Sequence, residues 1–276
     1  MLEYRGLVQK YCEELCGSLG KADRMIRLIL VALYLFLFLI LSIPVLIAEH
    51  FIAKRNPAHR DRLSKALVGW GFRCIAWLAG TKLIVRGQEN IPADSAALFV
   101  GNHRSYFDIV LTYSHFPGIT GYVAKKEMLR YPLLNSWMRN IHCLFLDRDN
   151  IKEGLKTILA GVEEVKRGVS LCIFPEGTRN KVNDTFLPFH EGSFKIAEKG
   201  GVPVVPMVIV NSADIFEDHL PWIRSATVVI EFQPAVYMKD MDRHEKKNMG
   251  AHVSGLISKR YFELKGEYFP ALSAKQ

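Results

Sequence analysis

The sequence predicts an α/β fold: a largely parallel central sheet flanked by helices, preceded by an N-terminal membrane-associated helical hairpin. Three observations carry that expectation. Beyond Gly80, short apolar runs alternate with helical stretches. Two of those runs lead straight into polar turns, Asn102–Asp108 and Pro175–Asn180, and strand ends are where open α/β sheets place ligands. Ahead of both lies a stretch without charge, Leu28 to Ala48. The expected division is a membrane-associated helical region over residues 1–80 and an α/β domain over 81–276.

In chain order, residues 1–21 read as a polar amphipathic lead-in with no assigned role. The uncharged stretch follows; 21 helical residues would span about 30 Å, the thickness of a bilayer's hydrocarbon core. It starts too deep in the chain for an ordinary secretory signal. Basic residues flank both ends (Lys21, Arg24, Arg27; Lys54, Arg55, Arg60, Arg62), so charge sets no orientation, and Pro44 is placed to bend it. A spanning helix and a hairpin dipping into the bilayer both remain open. A second apolar stretch, Leu67 to Ala79, is too short to span and is interrupted by Arg73; with Trp70, Phe72 and Trp77 it reads as an interfacial helix.

Strands are expected at Lys82–Arg86, Ala97–Val100, Tyr122–Ala124, Cys143–Leu146, Leu171–Phe174, Val204–Val210 and Thr227–Phe232. The clearest intervening helix carries Ile151, Leu155, Ile158, Leu159, Val162 and Val165 as one apolar stripe, with Asn150 to cap it and Gly168 to end it. Hydrophobic residues make up 49% of the 276, and the net charge is +8. That balance suits nucleic acid, anionic lipid or an acidic carrier protein. Without a nucleic-acid motif or a basic stripe interleaved with aromatics, nucleic acid is set aside. Five scattered cysteines lack ligand spacing, so neither disulfides nor a metal site is expected.

Chemistry is expected in the first polar turn. Five residues along a helix rotate about 140° beyond a full turn, so His103 and Asp108 cannot share one helical face. With His103 in the turn and Asp108 in the first helical turn, one can fold onto the other. A carboxylate on one imidazole nitrogen leaves the other free to take a proton from a hydroxyl. The competing reading is a capping box of Ser105 and Asp108 that satisfies amides and nothing more. In the second turn, Gly177 allows a tight bend and Arg179 offers planar donors suited to phosphate, although Glu176 to Arg179 could equally be a surface turn with an ion pair.

Taken together, these stretches resemble the 1-acylglycerol-3-phosphate acyltransferase family. Asn102-His103-Arg104-Ser105-Tyr106-Phe107-Asp108 carries its His-four-residues-Asp motif, and Phe174-Pro175-Glu176-Gly177-Thr178-Arg179 its second motif. Two further blocks follow the family's order: Ala124-Lys125-Lys126-Glu127 through Phe145-Leu146-Asp147-Arg148, and Val202 to Pro206. The resemblance covers residues 85–211. It implies an enzyme moving a fatty acyl group from acyl-CoA or acyl-ACP, as co-substrate, to the sn-2 hydroxyl of lysophosphatidic acid. The product is phosphatidic acid, in phospholipid biosynthesis.

By that resemblance His103 is the base and Asp108 its orienter. Arg179, Lys125 and Arg148 would bind the acceptor phosphate, and Glu176, Gly177 and Thr178 would form the substrate-binding loop. Lys126 competes with Lys125 for its part, and the pair could simply be solvated. No bound cofactor or metal is implied. The partners implied are lysophosphatidic acid, an acyl donor on coenzyme A or on acyl carrier protein, and a membrane lipid surface, with the active-site domain facing the cytoplasm. Pro203 and Pro206 would shape an acyl groove. The chain departs from the family where His190-Glu191 stands for a basic residue and glycine before Gly192, which leaves the donor contact open. The alternatives are a same-family enzyme for another lysophospholipid, or a non-catalytic lipid-binding module.

Overall fold

Apolar β-branched runs between glycines and turns can only be buried by pairing, and in this chain they pair into one sheet. The computed structural model describes the backbone of residues 2–270 and the side chains of 20–239 and 241–270; the side chains of the amphipathic lead-in expected over 1–21 lie outside it up to residue 19. Seven strands among these residues, β1 (Lys82–Arg86), β2 (Leu98–Gly101), β3 (Thr120–Lys125), β4 (Leu144–Leu146), β5 (Ser170–Ile173), β6 (Val204–Val210) and β7 (Thr227–Phe232), stand in the order β1-β7-β6-β2-β5-β3-β4. Each coincides with an expected strand to within two residues. Neighbours are parallel except β6 and β7, which run antiparallel. The segment joining those two holds only short 3-10 turns (Ser212–Ile215, Glu217–His219), so no crossover helix forces β7 parallel. Pro206 is tolerated inside β6 because the regular β7 ladder ends at Met207↔Phe232 and beyond it Pro206 serves only as an acceptor, its carbonyl taking Gln233 N–H at 2.8 Å.

Both faces of the sheet are covered. Phe99 and Phe232 pack on one side with Phe107, Leu111 and Phe116, while Leu98 and Val100 of the same β2 point to the other, against Val165, Ile196, Val253 and Leu264. Each such buried side chain contributes about 1.5–3 kcal/mol. The helices on the first face include α4 (Phe107–Thr112) and α5 (Pro132–Asn140); the second face carries α6 (Ile151–Lys166), α7 (Lys195–Gly200) and, after the short α8 (Arg243–Lys247), α9 (Met249–Tyr268). Asn150 caps α6 by accepting from Lys152 N and Glu153 N at 3.1 and 3.2 Å, and Gly168 follows it at φ +88°. Only the C-terminal half of its expected stripe is core: Val162 and Val165 are buried, whereas Ile151 and Leu155 are 89% and 55% exposed.

The apolar N-terminal stretch is not one straight helix. α1 (Leu2–Leu41) ends at Ser42, and α2 (Ile43–Arg55) begins with Pro44 in its first turn. Proline has no N–H and its ring crowds the carbonyl four residues back, which bends the rod. The ladder closes again on either side, Ser42 N to Phe38 O and Leu46 N to Ser42 O at 3.0 and 2.9 Å, and Trp137 Nε1 pins the bend by donating to Ser42 Oγ at 2.9 Å. α3 (Pro57–Leu78), capped by Asn56 accepting from His59 N, returns antiparallel: Glu49 meets Ser64, and Phe38 lies on Gly71, where a Cβ would stand 3.0 Å from its ring. The hairpin expected of this region is therefore present. Its return helix starts ten residues before Leu67, in a charged stretch that apolar patterning could not mark.

One face of α3 enters the sheet's core through Val68 and Ile75, leaving Trp70 and Trp77 at 49% and 78% exposure. Between residues 28 and 48 the exposed side chains of α1 and α2 are all apolar, with Phe36 and Leu41 more than 60% exposed. Gly20–Leu41 is long and apolar enough to cross a membrane, with mean hydropathy 2.4 and none of its most apolar window buried.

Candidate active site

The first polar turn leaves β2 at Gly101 and enters α4 at Phe107. Asn102 anchors it from within the core: its side chain donates to Ile209 O (2.8 Å) and accepts from Ile209 N (2.9 Å) of β6. Asp108, fully buried, uses one oxygen for three bonds of 2.8 Å, from His103 Nδ1, Arg104 N and Ser105 N. Both sequence readings are thus realised in one carboxylate. It closes half of the capping box by accepting Ser105 N–H, while Ser105 Oγ accepts from Phe107 N at 2.9 Å. Because an ionised carboxylate can only accept, it fixes Nδ1 as the protonated nitrogen of His103.

The imidazole also stacks on Phe174, with ring centroids 4.2 Å apart and planes 13° from parallel. Its side chain is 16% exposed, and among the described residues no hydrogen bond occupies Nε2. An imidazole held on both counts presents a lone pair in one direction, ready for a hydroxyl proton.

The second turn is zipped to the first. Glu176, 5% exposed, accepts from His103 N at 2.8 Å through Oε1 and from Leu187 N at 3.1 Å through Oε2. His103 O in turn accepts from Asn180 N at 2.8 Å. Burial pushes the Glu176 carboxyl up from its ordinary range, outweighing the two amides that stabilise its charge. Gly177 adopts φ +72°, and a Cβ there would lie 3.2 Å from His190 Nε2 and 3.9 Å from Arg148 Cζ. Thr178 is exposed at the tip of this loop.

The three expected cations have different immediate surroundings. Arg179 donates from Nη1 to Glu217 Oε1 at 2.9 Å and lies 3.7 Å above the Tyr106 ring. Arg148 closes over Gly177; burial pulls its basicity below the usual arginine range. Lys125 ends β3 exposed and without an ion pair among the described residues, whereas Lys126 pairs with Asp147 at 2.7 Å. That pairing separates two residues that sequence left as competitors. Beside Arg148 runs a groove of about 260 Å³, walled by Leu146, Ile151, Ile158, Ile173 and Phe174. Neither Pro203 nor Pro206 lines it. At the sequence departure, His190 N donates to Pro175 O at 3.0 Å, and Glu191 caps α9 by accepting from Gly250 N at 2.9 Å. Among the described residues, no cluster of three or more His, Cys, Asp or Glu is placed to hold a metal.

Sequence reasoning passed over Tyr106 and Glu217. Glu217 Oε1 accepts from Tyr106 N (2.8 Å) as well as from Arg179, so it ties both turns to the segment after β6. Tyr106 lies inside a quoted motif; Glu217 lies in none, and no local pattern marks it.

Residues 82–210 match the model of a family described as Acyltransferase. The chain is 30% identical over 204 residues to the 1-acyl-sn-glycerol-3-phosphate acyltransferase of Borreliella burgdorferi, covering 74% of this chain and 81% of that protein. To the protein of the same name from Salmonella typhimurium it is 29% identical over 214 residues, 77% and 84% of the two. In fold it is similar to the crystal structure of the 1-acyl-sn-glycerophosphate acyltransferase from Thermotoga maritima. The TM-score is 0.77 at 23% identity, over 89% of this chain and 98% of that one.

Proposed function

This chain belongs to the 1-acyl-sn-glycerol-3-phosphate acyltransferase family, and from that premise we propose that it acylates the sn-2 hydroxyl of lysophosphatidic acid to give phosphatidic acid. The observation that carries the mechanism is the 2.8 Å contact of His103 Nδ1 with the buried Asp108, which leaves Nε2 open beside the second turn. His103 Nε2 removes the hydroxyl proton as that oxygen attacks the thioester carbonyl. Asp108 stabilises the imidazolium that forms. The tetrahedral intermediate then collapses, the carbon–sulfur bond breaks, and the leaving sulfur takes the proton from His103, which returns to the neutral base as the free thiol departs. The substrate supplies the nucleophile, so the protein needs none.

Arg179 is the first phosphate ligand, aimed by Glu217 and Tyr106 with its remaining N–H groups unspent. Arg148, beside Gly177, and the exposed Lys125 add positive charge for the same headgroup, and Glu176, Gly177 and Thr178 shape the loop beneath it. The apolar groove beside Arg148 suits an acyl chain. The donor is a thioester, acyl-CoA or acyl-ACP. Residues 1–80 act as the membrane-binding unit and 81–276 as the catalytic unit facing the cytoplasm, so that base and lipid acceptor meet at the interface. The test is acyl transfer by the purified protein in detergent, with labelled acyl-CoA and acyl-ACP against a panel of lysophospholipids. Preference for lysophosphatidylglycerol or lysophosphatidylcholine would reassign the acceptor; binding without turnover would make the fold a lipid-binding module.

A further inference from the structure

A cationic groove lies on a different face of α3 from Gly71, which packs against the hairpin, and outside the site described above. Arg62, Lys65 and Arg73 line it with Ala66, Gly69 and the Tyr113–Ser114 turn after α4, enclosing about 260 Å³. At 100° per residue, Arg62, Ala66, Gly69 and Arg73 fall within about 60° of one another on the helix, while Leu63, Trp70 and Trp77 form the adjoining sector. The floor is open because residue 69 is glycine; a Cβ there would meet Arg73 Nη1 and Ser114 Oγ, each at 3.6 Å. Ser114 Oγ donates to Gly69 O at 3.1 Å and holds the two walls together.

What distinguishes the groove is uncompensated charge. Elsewhere, basic side chains close to acids pair with them: Arg60 with Asp61, Lys126 with Asp147, Arg260 with Glu231. Arg62 and Arg73 are exposed, and among the described residues neither has a hydrogen bond or an ion pair. Lys65 Nζ reaches only two carbonyls, Phe116 O at 3.0 Å and Pro117 O at 2.7 Å, and burial pulls its basicity down. His115 beside the groove is likewise held below its usual range, first by burial and then by Arg73. No carboxylate lines the groove.

The neighbouring sector points to the occupant. Trp70 and Trp77 are exposed, the aromatic type that settles at a membrane's headgroup level, and the apolar face of α1 continues from them. Three cations beside such a surface stand where lipid phosphates lie. We propose that this groove is a second, non-catalytic site for the phosphate headgroup of an anionic phospholipid of the bilayer the hairpin contacts. Bound there, the lipid clamps α3 against the turn after α4 and orients the domain on acidic membrane.

The test uses the full-length protein in neutral-detergent micelles, titrated with bromine-labelled phosphatidylglycerol or phosphatidylcholine, with quenching of tryptophan emission as the readout. Arg62→Gln with Arg73→Gln removes two exposed charges and should weaken phosphatidylglycerol binding by about 25-fold, about five-fold per cation. Arg62→Lys with Arg73→Lys should retain most of it. Lys199→Gln with Lys259→Gln makes the same change in net charge on the opposite face of the sheet and should bind as the parent does, because salt screens so remote a charge. Acyl transfer in neutral micelles should be equal in all four proteins. Equal losses in the two Gln pairs, or none in the Arg62 and Arg73 pair, would overturn the site. So would Arg-dependent thermal protection by inorganic phosphate as strong as that by phosphatidylglycerol, which would mark a soluble phosphate as the ligand.

Discussion

Asp108 in the catalytic turn and Glu49 in the hairpin are the same device set to different ends. Both carboxyl groups are buried, at 0% and 1% exposure, and in both a single oxygen carries every hydrogen bond while the other has no partner. Asp108 faces a titratable ring and two backbone amides of its own turn. Glu49 faces neutral groups from two other elements, Ser64 Oγ of α3 at 2.9 Å and Asn140 Nδ2 of α5 at 2.7 Å. Burial therefore dominates at Glu49 and pushes its carboxyl up, with the two hydrogen bonds and Arg60 offsetting it only in part. A buried carboxyl serves chemistry when its partner can change charge. When its partners cannot, it is a tether, here between the hairpin and the domain.

The largest effect expected is from the partner of Asp108. His103→Ala removes the base and should lower kcat about 10²–10⁴-fold with lysophosphatidic acid binding retained, read as turnover against equilibrium binding of labelled acceptor. Activity within a few-fold of the parent would remove His103 from the mechanism. Asp108→Asn should follow closely, with a loss of about 10²–10³-fold. Its amide oxygen can occupy the place where three donors already converge, so the turn and the tautomer survive. What disappears is the negative charge that stabilises the imidazolium, and the new NH2 group sits where no acceptor waits, costing about 1–3 kcal/mol of stability. Urea unfolding and the pH profile of kcat separate the two losses.

Arg179→Ala is expected to raise the Michaelis constant for the phosphate-bearing acceptor about 10–100-fold, the worth of a charged hydrogen bond of roughly 1.5–3 kcal/mol, and to leave that for the donor nearly unmoved. A change confined to the donor constant would place Arg179 on the coenzyme or carrier instead.

The smallest effect belongs to Glu49→Gln, which keeps both hydrogen bonds and should leave turnover unchanged. Its signature is in the pH dependence of stability. A carboxyl raised in the folded state binds more protons folded than unfolded, so its contribution is fully present below its unfolded value near 4.5 and is lost as pH rises through the folded value. The parent should therefore lose stability over that window, and the Gln variant should lose less. Urea midpoints at pH 4.5 and 7.5 decide it; parallel pH dependences would deny Glu49 the tethering role. A large fall in turnover would instead tie the hairpin to catalysis.

The amino-acid sequence by itself determined whatever depends on neighbours along the chain. Apolar runs marked all seven strands, Asn150 and Gly168 marked the ends of α6, and Pro44 marked the bend in the hairpin. The meeting of His103 with Asp108 was legible for the same reason, since only five residues separate them and one turn brings them together. The tertiary structure decided whatever joins distant segments: the antiparallel β6–β7 pair, Glu176 accepting from His103 N across 73 residues, and Glu217 holding Arg179 across 38. It also gave Arg179 and Arg148 different partners, and it brought Arg62 of the basic flank and Arg73, which interrupts the second apolar stretch, into one wall of a groove. The physical reason is that periodicity and capping record only the backbone's local preferences. Which distant donor meets which acceptor is settled when the two sides of the sheet close and each buried polar group must find a partner.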